Sequence, residues 1–450
     1  MEKIRKLIPV TSGDKEKQVD RISMLADALI HHVMSFVHTM YAVQTSILSK
    51  RWIHIWKSLP VLNFGSYVNA LNQSDRLTDF IDRVFILRDD SSIQWFRLRW
   101  LFVPINNGVR RSFSKWIDGS VALNVQEVTM QLHQHNNLTY EIPPRLLNYK
   151  SLKKLVLSMS LYTDIILTIS MSLPQLKFMC LRGFLVSNVE SAKRLFSSCP
   201  LLETLTIVNC DIQTDNQRNF NVEFLRLKEF SYSHLHSNHR WNHLRPKILK
   251  LSAPNLSSFT CESYLTQDYD LQNCSDQLSA VDKVNRLDLS SGFLEVLWRA
   301  TNLLNCPLPW LCDLQFLGME TWFTRGSLRA VAYLLTISPN VKNLILKSNK
   351  QSNLAHIGDD WEVGLSAPGM LSDLKVVRIG NAERCDAELK ILSFLFKNAK
   401  VLKEISVYPC STIKSIGSLR KRYEEKLRIL PRSSSGASMR WGETGNSCCI

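Results

Sequence analysis

The chain runs to 450 residues, 45% of them hydrophobic and 21% charged. That is ample for a large core or an extended repeat array, and it excludes a disordered composition. The net charge of +15 would suit an anionic partner, but the excess is uneven: between Lys414 and Arg440 eight Lys/Arg stand against two Glu, and such a basic tail is ordinarily solvated.

At the amino end, Lys3, Arg5 and Lys6 are followed only by Leu7-Ile8 and then Pro9, so no signal peptide is read. Residues 1–17 are expected to be flexible. None of the 11 cysteines forms a CxxC pair. Together these point to a reducing compartment, nucleus and/or cytoplasm, with mostly free, buried thiols. No window reaches the ~18 apolar residues of a membrane span. Ser447 occupies the fourth position from the end, so Cys448-Cys449-Ile450 is not a prenylation box.

Residues Asp20 to Trp56 read as three short helices. Leu29, Ile30, Val33, Phe36 and Val37 give the first an apolar face. Asp27 stands where a carboxylate can cap a helix. His38-Thr39 breaks the pattern, and Val43, Ile47 and Leu48 resume it. Ser49 can cap a third helix carrying Trp52, Ile55, Trp56 and Leu59, its indoles at i and i+4. So small a unit cannot bury that much apolar surface alone, so it needs a neighbour or a partner.

The segment resembles the F-box of plant F-box proteins. The matching residues are Asp20-Arg21-Ile22-Ser23, Leu25, Leu29, Phe36, Ala42-Val43, Thr45-Ser46, Leu48-Ser49-Lys50-Arg51-Trp52 and Trp56. The resemblance implies docking on a Skp-type adaptor, which hangs from a cullin scaffold in an SCF-type ubiquitin ligase. It implies adaptor contacts at Leu25, Ala26, Leu29, Ile30, Val33, Phe36, Val43, Leu48, Ser49, Arg51, Trp52 and Trp56, the two indoles also packing the third helix on the first. The family usually carries Leu-Pro where this chain has Leu25-Ala26, and often Asp where it has Met24. Proline pre-sets a helical φ, so Ala26 predicts weaker rather than absent docking.

From here a pattern apolar-x-x-apolar-x-apolar recurs. It appears at Leu152-Leu155-Leu157, Leu176-Met179-Leu181, Leu202-Leu205-Ile207, Leu227-Phe230-Tyr232, Leu256-Phe259-Cys261 and Val284-Leu287-Leu289. It continues at Leu311-Leu314-Phe316, Val341-Leu344-Leu346, Leu374-Val377-Ile379 and Leu402-Ile405-Val407, with fainter copies at Ile93-Phe96-Leu98 and Val125-Val128-Met130. Successive spacings after Leu152 are 24, 26, 25, 29, 28, 27, 30, 33 and 28, the period of a leucine-rich repeat. Ile169, Leu195, Leu334 and Leu395 each precede the next strand by seven residues, within helix-like stretches such as 190–199, 327–338 and 388–399. Pro174, Pro200 and Pro339 end three such segments. Each unit therefore reads as strand, loop, helix and turn, with parallel strands concave and helices convex. The Asn/Cys position closing the strand is filled only by Cys210, Asn349 and Cys410; Leu235 and Met319 stand at equivalent places.

Leu371 to about Arg428 resembles the FBD domain of plant F-box/leucine-rich-repeat proteins, through Leu374-Lys375, Glu388-Leu389, Leu392, Phe394-Leu395, Lys397-Asn398-Ala399, Val401-Leu402 and Ile405. A terminal cap is its expected physical role.

Other constellations carry less. His234, His236, His239 and His243 have no Cys or carboxylate among them and read as a polar loop rather than a metal site. His31-His32 read as a solvated helix face, and Asp89-Asp90 and Asp359-Asp360 as solvated turns. There is no Gly-x-Ser-x-Gly elbow and no phosphate-cradling loop. No catalytic residue, metal or cofactor is expected.

The expected fold is α/β: an N-terminal three-helix F-box (18–59), a curved leucine-rich-repeat solenoid (60–370), an FBD domain continuing and capping it (371–430), and a disordered tail (431–450). The expected function is substrate recognition for an SCF-type ubiquitin ligase. Candidate substrate anchors are Arg182, Trp298, Trp310, Trp322, Arg325 and Trp361. One alternative is a repeat scaffold not coupled to a ligase. The other is a DNA-binding protein, disfavoured because the third helix offers Lys50, Arg51 and Lys57 on a face dominated by Trp52, Ile55, Trp56 and Leu59.

Overall fold

The computed structural model describes residues 24–65, 74–101, 107–133, 139–168, 170–215, 220–234, 249–263, 283–299, 310–321, 323, 325–348, 370–382, 386–410, 423, 425–431, 433–434 and 436–441. The expected flexible residues 1–17 lie outside these, as do Asn349, Leu235, Trp322, Trp361, Asp359-Asp360 and most of the histidine cluster.

The chain opens with α1 (Asp27–Met34), α2 (Thr39–Gln44), a 3-10 turn (Thr45–Ile47) and α3 (Lys50–Lys57). Strand and helix then alternate: β1 (Val61–Gly65), α4 (Ser74–Leu87), β2 (Trp95–Leu101), α5 (Asn107–Ala122), β3 (Glu127–His133), β4 (Tyr140–Glu141), α6 (Pro144–Leu147), β5 (Lys154–Ile166), β6 (Phe178–Val186), α7 (Val189–Ser197), β7 (Thr204–Val208) and β8 (Asp211–Ile212). Next come β9 (Phe220–Glu223), β10 (Glu229–His234), β11 (Leu249–Ser252), β12 (Ser258–Ser263), β13 (Arg286–Leu289), α8 (Ser291–Arg299), β14 (Phe316–Thr321), α9 (Arg325–Thr336), β15 (Asn343–Ser348), β16 (Val376–Ala382), α10 (Asp386–Asn398), β17 (Glu404–Pro409) and β18 (Ser438–Trp441). None of the described helices is long and apolar enough to cross a membrane.

The main sheet is open and parallel, in the order β1-β2-β3-β5-β6-β7-β10-β12-β13-β14-β15-β16-β17-β18. Its strands take the concave side of a leucine-rich-repeat solenoid, as the repeat predicts. A backbone ladder pins the stack just ahead of each strand. Gln94 N–H donates to Pro60, Gln126 to Gln94, Lys153 to Gln126, and so on, unbroken, to Ser438 donating to Lys403. One register is thereby imposed on every repeat, and a slip would turn each apolar triple outward. The triples are buried throughout, from Ile93-Phe96-Leu98 to Leu402-Ile405-Val407.

One triple is displaced from its expected position. Leu317 pairs with Leu287 and Leu344, and Met319 with Leu289 and Leu346. The unit carried by β14 is therefore Leu314-Leu317-Met319, three residues beyond Leu311-Leu314-Phe316, and Phe316 lies outside the core. Met319 is accordingly a strand residue, not the equivalent of the strand-closing Asn/Cys.

The helical layer is less regular than expected. The stretches 190–199, 327–338 and 388–399 are α7, α9 and α10. Between β5 and Pro174 no helix stands among the described residues. Beyond β7 the layer continues as a two-stranded parallel ribbon, β9 with β11. Phe220 of β9 packs 5.3 Å from Phe196 of α7, so aromatic bulk replaces a helix there. The strand-closing position keeps its polar role at Cys210. Phe184 N–H donates to Cys210 Sγ at 3.4 Å, and the thiol donates to the Leu181 and Val208 carbonyls. Burial pushes the thiol up to about 12.

At the far end, β16, α10 and β17 continue the solenoid. The buried Glu388 of α10 accepts from Tyr423 Oη at 3.1 Å. The tail expected to be disordered contains β18, which pairs in parallel with β17 through Met439 against Ile405 and Trp441 against Val407. Its Ser- and Gly-rich setting masked a final, weak repeat.

Candidate docking surface

The helices at the amino end face two ways. Inward, Ile30 of α1 meets Trp52 and Ile55 of α3 in a small core of their own. Ala42, Trp56 and Leu59 join the continuous core of the solenoid. Trp52 and Trp56 are only 4% and 7% exposed, so both indoles hold the unit together. Val43 is half-buried against the same core.

Three polar links fix the unit. Arg51 Nε donates to Asp27 Oδ1 at 3.0 Å, and its Nη2 donates to the same carboxylate and to the Leu25 carbonyl. Asp27 therefore sits in the first turn of α1 as the partner of Arg51, while Ala26 is the N-cap; Ser49 caps α3 without a side-chain hydrogen bond. His31, read from sequence as solvated, instead bridges α1 to α3: its Nε2 donates to the Ile55 carbonyl at 3.1 Å and lies 3.1 Å from Ser58 Oγ. Finally, Asn63 N–H on the outer edge of β1 donates to the buried Thr39 Oγ1 at 2.7 Å. An unpaired strand edge invites association, and α2 covers this one. The amino-terminal helices thus cap the first end of the solenoid.

Outward, the surface is apolar. Leu25, Leu29, Val33, Phe36 and Leu48 are exposed, Phe36 at 75%, and so are Met24, Met40, Tyr41 and Ile47, the last at 87%. Leu29 and Val33 share one stripe of α1, and Phe36, two residues past the end of the helix, packs its ring edge-on to His32 at 5.0 Å. The predicted set therefore divides: Ile30, Trp52 and Trp56 are internal, Arg51 is half-buried on Asp27, and Leu25, Ala26, Leu29, Val33, Phe36, Leu48 and Ser49 are at the surface. Met24, Met40, Tyr41 and Ile47 are surface residues the sequence reading did not select.

The first repeat was also missed. Leu59, Leu62 and Phe64 are buried, the last two pairing with Phe96 and Leu98. Leu59 is thus not the end of α3, which stops at Lys57, but the start of the solenoid.

Comparison with known proteins fits this layout. Residues 22–64 match the F-box domain model. Residues 113–346 match the model described as FBD-associated F-box protein At5g56370, LRR repeats. The chain belongs to the F-box/leucine-rich-repeat family of plants. Similar relatives from Arabidopsis thaliana include the FBD-associated F-box protein At1g66310, 26% identical over 96% of this chain and 98% of that one. The F-box/FBD/LRR-repeat protein At1g78750 is 25% identical over 94% and 96%. The F-box/LRR-repeat protein At5g02910 is 24% identical over 77% of each. An F-box joined to leucine-rich repeats gives this F-box/LRR protein the general make-up of a substrate receptor, a class that is typically non-catalytic.

Of the candidate substrate anchors, Arg182 on β6 and Trp310 are exposed. Trp298 lies in α8 and Arg325 opens α9. Asp89 is a turn residue, as expected, accepting from Ser91 N–H at 3.0 Å.

Proposed function

We propose that this chain is the substrate-recognition subunit of an SCF-type ubiquitin ligase in the nucleus and/or cytoplasm, itself non-catalytic. The F-box docks on a Skp-type adaptor, and through it a cullin, while the solenoid's concave face holds a protein substrate. One observation carries the docking: the F-box has a complete internal core, yet leaves Leu29, Val33, Phe36, Ile47 and Leu48 uncovered. Large exposed apolar patches on soluble proteins mark interaction sites. Such an interface concentrates its energy in a few well-packed anchors.

Ala26 is consistent with docking. Its φ of −64° is the value proline would impose, so the chain enters α1 as it would with the family's dipeptide. Residues 371–430 serve as the FBD domain, continuing the solenoid. The concave body contributes by holding its substrate close to the ligase chemistry, a proximity effect.

The test is co-purification of the full chain with a Skp-type adaptor and cullin. Truncation of the F-box would strip the cap from β1, so point variants are the cleaner probe. Recovery of the complex by the native chain and its loss on Leu29→Asp supports the reading; equal recovery by both overturns it.

A further inference from the structure

The concave face of β12 to β15 contains a hollow of about 250 Å³. Thr260, Asp288, Gly318 and Ile345 lie in one row across these strands, and Gly318 leaves a gap in it. The Asp288 carboxylate leans over that gap, so that a Cβ on Gly318 would collide with Oδ1. Arg286 fixes Asp288 by donating from Nε to Oδ2 at 2.8 Å, its own guanidinium lying 4.0 Å from the Phe316 ring centroid.

Glu262 and Glu320 reach the hollow from the strands on either side. Ser233 Oγ donates to Glu262 at 3.4 Å. The Glu320 carboxylate has neither a hydrogen bond nor an ion pair among the described residues. Burial, then the nearby Glu262, raise its pKa, and Lys347 opposes them. A carboxylate so placed gains from a further cation.

No group of His, Cys, Asp and Glu among the described residues converges tightly enough for a metal ion. The acidic groups instead ring a hollow with an apolar wall at Ile345. That combination complements a long apolar stem bearing a charged head. The geometry points to a socket for one lysine or arginine side chain of a protein partner, its stem along Ile345 and its head at Glu320 and Glu262. The inference rests on the reading of the solenoid as a substrate-holding body and adds the chemistry it selects.

The chain's net charge of +15 repels cationic peptides in general, so their binding reports a local site. The probe is fluorescent hexalysine titrated into the full chain at low salt, with spermidine as competitor and thermal melts confirming that each variant folds. Saturable binding is expected. Glu320→Gln should weaken it about fivefold, and Lys347→Gln, which removes the protein's own competing cation, should tighten it by a similar factor. Absent binding, or affinities that both variants leave unchanged, overturns the socket. Spermidine competing as strongly as the peptide overturns the protein-partner assignment in favour of a small-cation site. The readout needs no adaptor: a chain that binds hexalysine but no adaptor sinks the ligase reading alone, and the reverse sinks the socket alone.

Discussion

The hydroxyl of Thr39 accepts the backbone N–H of Asn63 at 2.7 Å, and this bond joins the F-box to the solenoid. It satisfies a donor on the outer edge of the first strand. Around it Ala42, Trp56 and Leu59 extend the repeat core into the helices. The exposed apolar face of the F-box is thus carried on the end of the solenoid. Thr39→Val keeps the shape but leaves the Asn63 N–H unpaired, a loss of about 1–3 kcal/mol. Urea unfolding should show that loss; an unchanged midpoint would mean the bond contributes nothing to the joint.

Ala26→Pro should be accepted. The φ is already −64°, and the Ala26 N–H donates to no group among the described residues. Restricting the unfolded chain should then stabilise by about 0.4–1 kcal/mol. Thermal unfolding reads the gain. Adaptor affinity should stay within a few-fold of native; a very large increase would mean that Ala26 had left the native chain poorly coupled.

Gly183 is irreplaceable for a backbone reason. Its φ is +76°, and a Cβ would lie 2.5 Å from the Met159 carbonyl oxygen and 2.7 Å from that of Ser160. Gly183→Ala combines strain with a clash against fixed backbone, so it should cost at least about 2 kcal/mol. A variant as stable as native would contradict the tight β5–β6 approach.

Acid sensitivity should follow Glu203. Hydrogen bonds from Lys228 and Lys177, at 2.7 and 2.9 Å, hold its carboxyl down to about 2. The folded pKa lies below the unfolded one, so the contribution is present above about pH 4 and is lost as pH falls toward 2. Glu203→Gln should flatten that part of the stability profile and lessen its salt dependence. Stability curves that stay parallel from pH 5 to pH 2 would refute the assignment.

Most of the solenoid was legible because the apolar triple is a period-two signal tied to a fixed backbone ladder. Where it failed, the pattern itself was degenerate. The run Leu311 to Met319 satisfies the template in two registers, and only pairing with Leu287 and Leu344 selects Leu314-Leu317-Met319. Leu59-Leu62-Phe64 carried the same triple but followed a helix whose periodicity absorbed Leu59. The last strand hid in Ser- and Gly-rich sequence. For the candidate docking surface, sequence supplied the apolar positions but not their direction: Ile30 and Leu29 are neighbours, yet one is buried and the other exposed. His31 was unreadable, since nothing local announces the Ile55 carbonyl.

The most direct test is calorimetric titration of a Skp-type adaptor into the native chain and into Phe36→Asp. Phe36 is 75% exposed and makes no core contact, so the variant should fold with an unchanged melting temperature. The account predicts that adaptor affinity falls by at least about 2 kcal/mol, some thirtyfold. Equal affinity for the two folded proteins would contradict it.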